Sequence, residues 1–171
     1  MKKQHILRVL IIAALTISNI TFAEEQNKKV FINSLKRGGE FLSVSDVKRN
    51  VSRADLDDIY AVLEEAKPNL GLRRCIQAIA YLSEKGDKKA VDTIIACFKE
   101  DDSDILGDKN LLKNNSREYL ETCIISQKAN MLECLGMVGG PEAVSFLKEM
   151  LDKKNVEKLY IEIFPYPDSR I

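Results

Sequence analysis

Three stretches of this chain carry residue types that do chemistry elsewhere. The first is Gly139-Gly140-Pro141, inside ECLGMVGGPEAVSFLKEML. Backbone N–H groups at a helix N-terminus bind anions, so a glycine-rich turn before a helix is a candidate phosphate loop. A P-loop needs Gly-x4-Gly-Lys-Ser/Thr after a strand, and neither is present, so the turn reads better as a structural corner. The second stretch, DDSDILGDKN, holds Asp102, Asp104, Gly107 and Asp108. A calcium loop counted from Asp102 needs an oxygen ligand fifth and a Glu twelfth. Leu106 and Lys113 stand there instead, and the stretch reads as a flexible acidic linker with no metal site. The third feature is four cysteines, Cys75, Cys97, Cys123 and Cys134.

What the cysteines can do depends on the compartment and on histidine. The only histidine is His5, and it lies in a segment with the three parts of a secretory signal peptide. Lys2, Lys3 and Arg8 lead, Val9 to Leu15 is apolar, and Thr21-Phe22-Ala23 precedes Glu24-Glu25. Residues 1–23 therefore read as a bacterial export signal, and the mature protein is expected in the periplasm or outside the cell. The apolar run is too short for a membrane anchor, no Cys sits near the cleavage point for a lipid, and no span is expected after cleavage. Without His, a mature chain runs neither a Ser-His-Asp nor a Cys-His mechanism, so no catalytic residue and no cofactor is assigned. Export permits disulfides. Cys75 and Cys97 lie equally far before and after Gly86, so antiparallel helices bring them to similar heights as the best candidate pair. Cys123 and Cys134 share one helix roughly 16 Å apart and cannot bridge. The competing reading makes all four small buried hydrophobes.

The leader holds three of the 26 basic residues, leaving 23 against 26 acidic ones over 148 of the 171 residues. A net charge near −3 offers no basic face for nucleic acid, and the length suits one domain.

These features need helices to position them. Val30, Phe31 and Leu35 predict a short helix ending near Arg37-Gly38-Gly39. The stretch from Phe41 to Asn50 leaves room for one more short turn. Ser52-Arg53-Ala54-Asp55 is an acidic variant of the capping box, followed by Leu56, Ile59, Tyr60 and Leu63 at helical spacing until Pro68. Leu72, Ile76, Ile79 and Leu82 form the next stripe, and Val91, Ile94, Ile95 and Phe98 another. After the acidic stretch, Ser116 is a candidate N-cap for a long helix through Leu120, Ile124, Met131 and Leu135. The end of the chain, KLYIEIFPYPDSRI, alternates apolar residues and reads as extended.

A shift of 53 residues lays one hairpin on the next. Leu82, Gly86, Ala90 and Val91 fall on Leu135, Gly139, Ala143 and Val144, while Ile79, Ile94 and Phe98 fall on Leu132, Leu147 and Leu151. Gly86 and Gly139 are expected at helix C′ positions with a left-handed backbone. Asp87 and Gly140 are expected as N-caps, and Pro141 at the first helical position, where its missing N–H is harmless.

LGMVGGPEAVSFLKEML, and less closely YLSEKGDKKAVDTIIACF, resembles the short HEAT-type repeat found in phycobilin lyases. The 53-residue offset exceeds the roughly 40–47 of HEAT repeats, and an insertion at 100–115 accounts for the excess. The resemblance implies an all-α fold, a short α-solenoid of antiparallel helix pairs in a HEAT-like or armadillo-type superhelix. Residues 67–154 would form two repeats, 24–66 capping helices or a degenerate repeat, and 155–171 a tail. Arg73 or Arg74 would make contacts between repeats. The implied function is non-enzymatic binding of another protein, as adaptor, assembly factor or scaffold. The alternatives are a lyase-like or enzyme-associated factor, and an envelope protein whose acidic loop holds a cation.

Overall fold

A computed structural model describes residues 22–37, 41–66 and 72–152. Among these residues the secondary structure is helical, with no strand, so the chain is all-α. The helix α1, over 22–34, runs through the expected cleavage point and buries Ile32, with Leu35 just beyond it. Gly38, Gly39 and Pro68, expected as helix stops, lie outside the described residues, as do the extended tail at 155–171 and residues 1–21 of the leader.

The ambiguous stretch after Phe41 forms α2, Val44–Asn50. Ser43 caps it, its Oγ accepting the Asp46 N–H at 3.0 Å. The capping box at Ser52 opens a 3-10 turn, Arg53–Asp55, that runs straight into α3, Leu56–Glu65. There Ile59 and Leu63 are fully buried, as their spacing predicts. Helices α4, Leu72–Leu82, and α5, Lys88–Lys99, form one hairpin. Helices α8, Arg117–Val138, and α9, Pro141–Leu151, form the next. On α8 the residues Leu120, Ile124, Gln127, Met131, Cys134 and Val138 are buried at alternating spacings of four and three, one inward stripe of an α-helix.

The stretch at 100–115 is not a loop. It forms two short helices, α6, Ser103–Gly107, and α7, Lys109–Asn114. Asp108 Oδ1 accepts the N–H groups of Asn110 and Leu111 at 2.7 and 3.3 Å, and Ile105 is buried. Carboxylates that read as linker residues are used here to start helices, where the N–H groups need acceptors.

The core is one continuous cluster from Ile32 to Phe146. Helix α4 lies at its centre, packed against α2, α3 and α8, while α8 also packs on α5 and α9. Between α5 and α9, Phe98 meets Phe146 edge to face, with ring centroids 5.4 Å apart. Such a pair adds about 1 kcal/mol beyond its buried area.

Candidate functional site

The Gly-rich turn is the first candidate, and its geometry is set by its counterpart. Gly86, Gly139 and Gly140 have φ of 75°, 70° and 95°, and no other described residue has positive φ. Asp87 caps α5 by accepting the Ala90 N–H at 3.2 Å, Gly140 precedes α9, and Pro141 is its first residue. Gly86 is not the C′ residue of α4, because that helix already ends at Leu82, whereas α8 continues to Val138 beside Gly139. The Gly86 N–H turns away from its own helix and donates to the Val138 carbonyl at 2.8 Å. The last carbonyls of a helix have no intrahelical donor, and the preceding hairpin supplies one for α8. The approach is tight enough that a Cβ on Gly140 would stand 3.0 Å from the Gly86 Cα. The two turns therefore pack backbone to backbone.

The start of α4 also meets the middle of α8. Arg73 donates from a guanidinium N–H to Ser126 Oγ at 2.6 Å, and Ser126 is the residue 53 positions on. Arg73 also lies over the Phe41 ring, 4.4 Å from its centroid. Arg74 donates to the Ser34 carbonyl at 3.3 Å. Both arginines thus bridge elements.

One arrangement was not foreseen in the sequence. Arg73, Gln77 and Tyr81 recur every four residues on α4, whose other positions are mostly apolar. They grip the extended segment before α2. Buried Gln77 accepts the Leu42 N–H through Oε1 at 3.0 Å, and the Tyr81 hydroxyl donates to the Leu42 carbonyl at 3.2 Å. Both backbone groups of Leu42 are satisfied by side chains of one helix, which meets the demand that buried peptide groups be paired. The available signal was the polar spacing of four within an apolar helix. Beside this segment, Phe31, Phe41, Leu42, Asp46, Asn50 and Arg74 line an open cleft of about 420 Å³.

The acidic residues expected in a loop are engaged. Asp102 pairs with Lys128 at 2.5 Å, Lys128 Nζ also reaches the Glu100 carbonyl at 3.5 Å, and Asp101 accepts from the Ser103 hydroxyl and N–H at 2.9 and 3.0 Å. No group of three or more His, Cys, Asp or Glu side chains with metal-binding geometry exists among the described residues. Asp55 is the one buried carboxylate among the described residues. Burial pushes its carboxyl up, but the Ser52 N–H, Lys28 and the Ser52 hydroxyl outweigh that and hold it below the usual range.

The Cys75–Cys97 disulfide is not formed. Both side chains sit in the core, as the hydrophobe reading has it, and Cys75 Sγ points to the Leu35 carbonyl at 3.7 Å. Burial pushes the Cys75 and Cys134 thiols up to about 12, which leaves almost no thiolate at neutral pH, and the thiolate is the nucleophile.

No family model, curated protein or solved structure matches this chain. Among the described residues, no helix is long and apolar enough to cross a membrane.

Proposed function

We propose that the chain is an exported, non-enzymatic module that binds another protein, built as a short HEAT-like solenoid. The observation that supports this reading most is register. Gly86 meets Val138 and Gly140, and Arg73 meets Ser126, so both ends of α4 touch the residues one repeat later on α8 and its turn. Offsets of 52 to 54 residues at Gly86 and 53 at Arg73 are what side-by-side stacking of equivalent helices requires, and such stacks present an extended face for macromolecules. The second helices carry the exposed part of that face. Lys88, Asp92, Ala96 and Lys99 on α5 and Ser145 and Glu149 on α9 are exposed, and the two helices pack on each other, a largely polar surface that would select a partner by shape and alternating charge. The leader at 1–23 would deliver the module to the periplasm or the medium.

A photo-crosslinking residue placed at Ala96 or at Ser145, with Glu64 on α3 as control, tests this in the host cell. One protein crosslinked from both α5 and α9 but not from Glu64 is the expected result, with mature chain beginning at Glu24 in the exported fraction. Equal crosslinking from the control position would remove the support for a binding face.

A further inference from the structure

Phe41 is 58% exposed, yet it is held from two sides. Its chain neighbour Leu42 has both backbone groups bonded to Gln77 and Tyr81 of α4. Its ring lies against the Arg73 guanidinium, 4.4 Å from the centroid. Fixing a side chain costs conformational entropy, and here the ring gains little burial in exchange. The fixed ring does form a wall of the cleft of about 420 Å³, with Phe31 of α1 and Leu42 as its other apolar walls. Volume, aromatic lining and a few converging polar groups are the marks of a small-molecule site. A wall fixed beforehand lowers the entropy cost of binding there.

The polar groups of the cleft carry opposite charges. Arg74 lines it from α4. Nη1 of Arg74 donates to the Ser34 carbonyl at 3.3 Å, while Nε is buried without a hydrogen-bond partner among the described residues. A buried N–H left in this way marks a missing acceptor, and the guanidinium fork matches a carboxylate. Asp46 and Asn50 line the cleft from α2. Asp46 accepts the Ser43 hydroxyl at 2.6 Å and pairs with Arg49 at 2.7 Å. The Ser43 hydroxyl above all holds its carboxyl below the usual range, so it is charged at neutral pH, and each of its oxygens can accept more than one donor. Asn50 donates through Nδ2 to the Asp46 carbonyl at 2.7 Å and keeps its amide oxygen as an acceptor. We propose that this cleft binds a free α-amino acid with an aromatic or large aliphatic side chain. The carboxylate meets Arg74, the ammonium meets Asp46 and Asn50, and the side chain lies against Phe31, Phe41 and Leu42. An anion alone would set its charge against Asp46, and a cation alone would set its charge against Arg74, whereas a zwitterion complements both. The lining comes from α1, α2, α4 and the segment before α2 rather than from α5 or α9, so the inference does not depend on the protein-binding reading.

Titration of the full chain with L-phenylalanine and with L-leucine, read by calorimetry and by amide chemical shifts, tests it. Saturable binding of one ligand per chain is expected, with shifts at Phe31, Leu42, Asn50 and Arg74 and little change in α8 and α9. N-acetyl-L-phenylalanine lacks the ammonium and L-phenylalaninamide lacks the carboxylate. Each should bind at least about tenfold more weakly, the loss of one charged hydrogen bond. Phe41→Ala removes an exposed ring and should weaken binding about tenfold, with the melting temperature nearly unchanged. Val44→Ala, exposed but outside the lining, should alter neither. Asp46→Asn should erase the preference for L-phenylalanine over its N-acetyl derivative, an effect that a merely destabilised fold would not produce. Absence of saturable binding of both amino acids to the folded chain would overturn the proposal. Equal affinity of the unaltered protein for N-acetyl-L-phenylalanine would also overturn it, because a carboxylate alone, such as the end of a peptide, would then be the ligand.

Discussion

Replacing Gly140 by Ala tests the contact between the two turns. Gly140 has φ 95° and ψ 164°, a region that essentially only glycine occupies, and holding another residue there costs about 1–3 kcal/mol. The added Cβ would also stand 3.0 Å from the Gly86 Cα. The atom in the way is backbone, so relief requires moving the hairpins apart. Overpacking of this kind costs a further 1–3 kcal/mol or so, and the Gly86 to Val138 hydrogen bond, worth about 1 kcal/mol, is strained in the process. The total is about 2–7 kcal/mol, a large part of the stability of an ordinary domain. Gly86→Ala is the informative comparison. Its φ is 75°, but its Cβ would meet the Gly140 Cα at 3.8 Å, an ordinary contact, so only the backbone cost of about 1–2 kcal/mol applies. Gly136→Ala is the opposite control: it lies within α8 with nothing near its Cβ. That change should stabilise by up to about 1 kcal/mol through helix propensity. Thermal unfolding followed by circular dichroism reads all three, with a melting decrease of about 5–20 °C expected for Gly140→Ala. If Gly140→Ala and Gly86→Ala were equally destabilising, the turns would not be in contact and the argument from register would lose one of its two ends.

Gln77→Leu leaves the Leu42 N–H buried without an acceptor and should cost about 1–3 kcal/mol; Tyr81→Phe should cost less, and amide exchange at Leu42 should accelerate much more in the first variant. Asp55 has a folded-state pKa below its unfolded value, so its contribution is present above the unfolded pKa near 3.9 and is lost as pH falls through the folded one. The stability difference between the natural protein and Asp55→Asn should therefore hold at neutral pH and shrink below about pH 4; a difference that grew with acid would refute the assignment. Native alkylation at pH 8 should label half-buried Cys123 while Cys75 and Cys134 resist until the chain unfolds, and equal labelling of Cys75 would contradict its burial. Lys128→Met removes the partner of Asp102 and should loosen α6, seen as faster exchange at Ile105 with α4 unchanged.

Much of the helical framework was legible because its signals are local. Leu72, Ile76 and Ile79 repeat at helical spacing, Asp87 and Pro141 have cap chemistry, and each gains from neighbours within one turn. The fate of Gly86 was less legible. Its glycine is needed at positive φ, but the end of α4 at Leu82 and the donation to Val138 depend on a helix 50 residues away. The grip of Gln77 and Tyr81 on Leu42 is likewise a tertiary pairing, invisible to periodicity except as polar residues in an apolar stripe. At 100–115 the acidic composition argued for a loop, yet Asp101 and Asp108 accept the first N–H groups of two short helices, which need such acceptors. Composition is read over a stretch, whereas a cap is decided at one residue, so the two gave different answers.

The asymmetry between the hairpins ties these observations together. Equivalent residues agree where a contact lies within a hairpin or between the two turns: Ala90 and Ala143 are both fully buried, and Gly86 and Gly139 share the same sign of φ. They disagree at Phe98 against Leu151, where Phe98 packs edge to face on Phe146 of α9, and at Val91 against Val144. Gly140 is glycine because of the hairpin before it: a Cβ there would stand 3.0 Å from the Gly86 Cα.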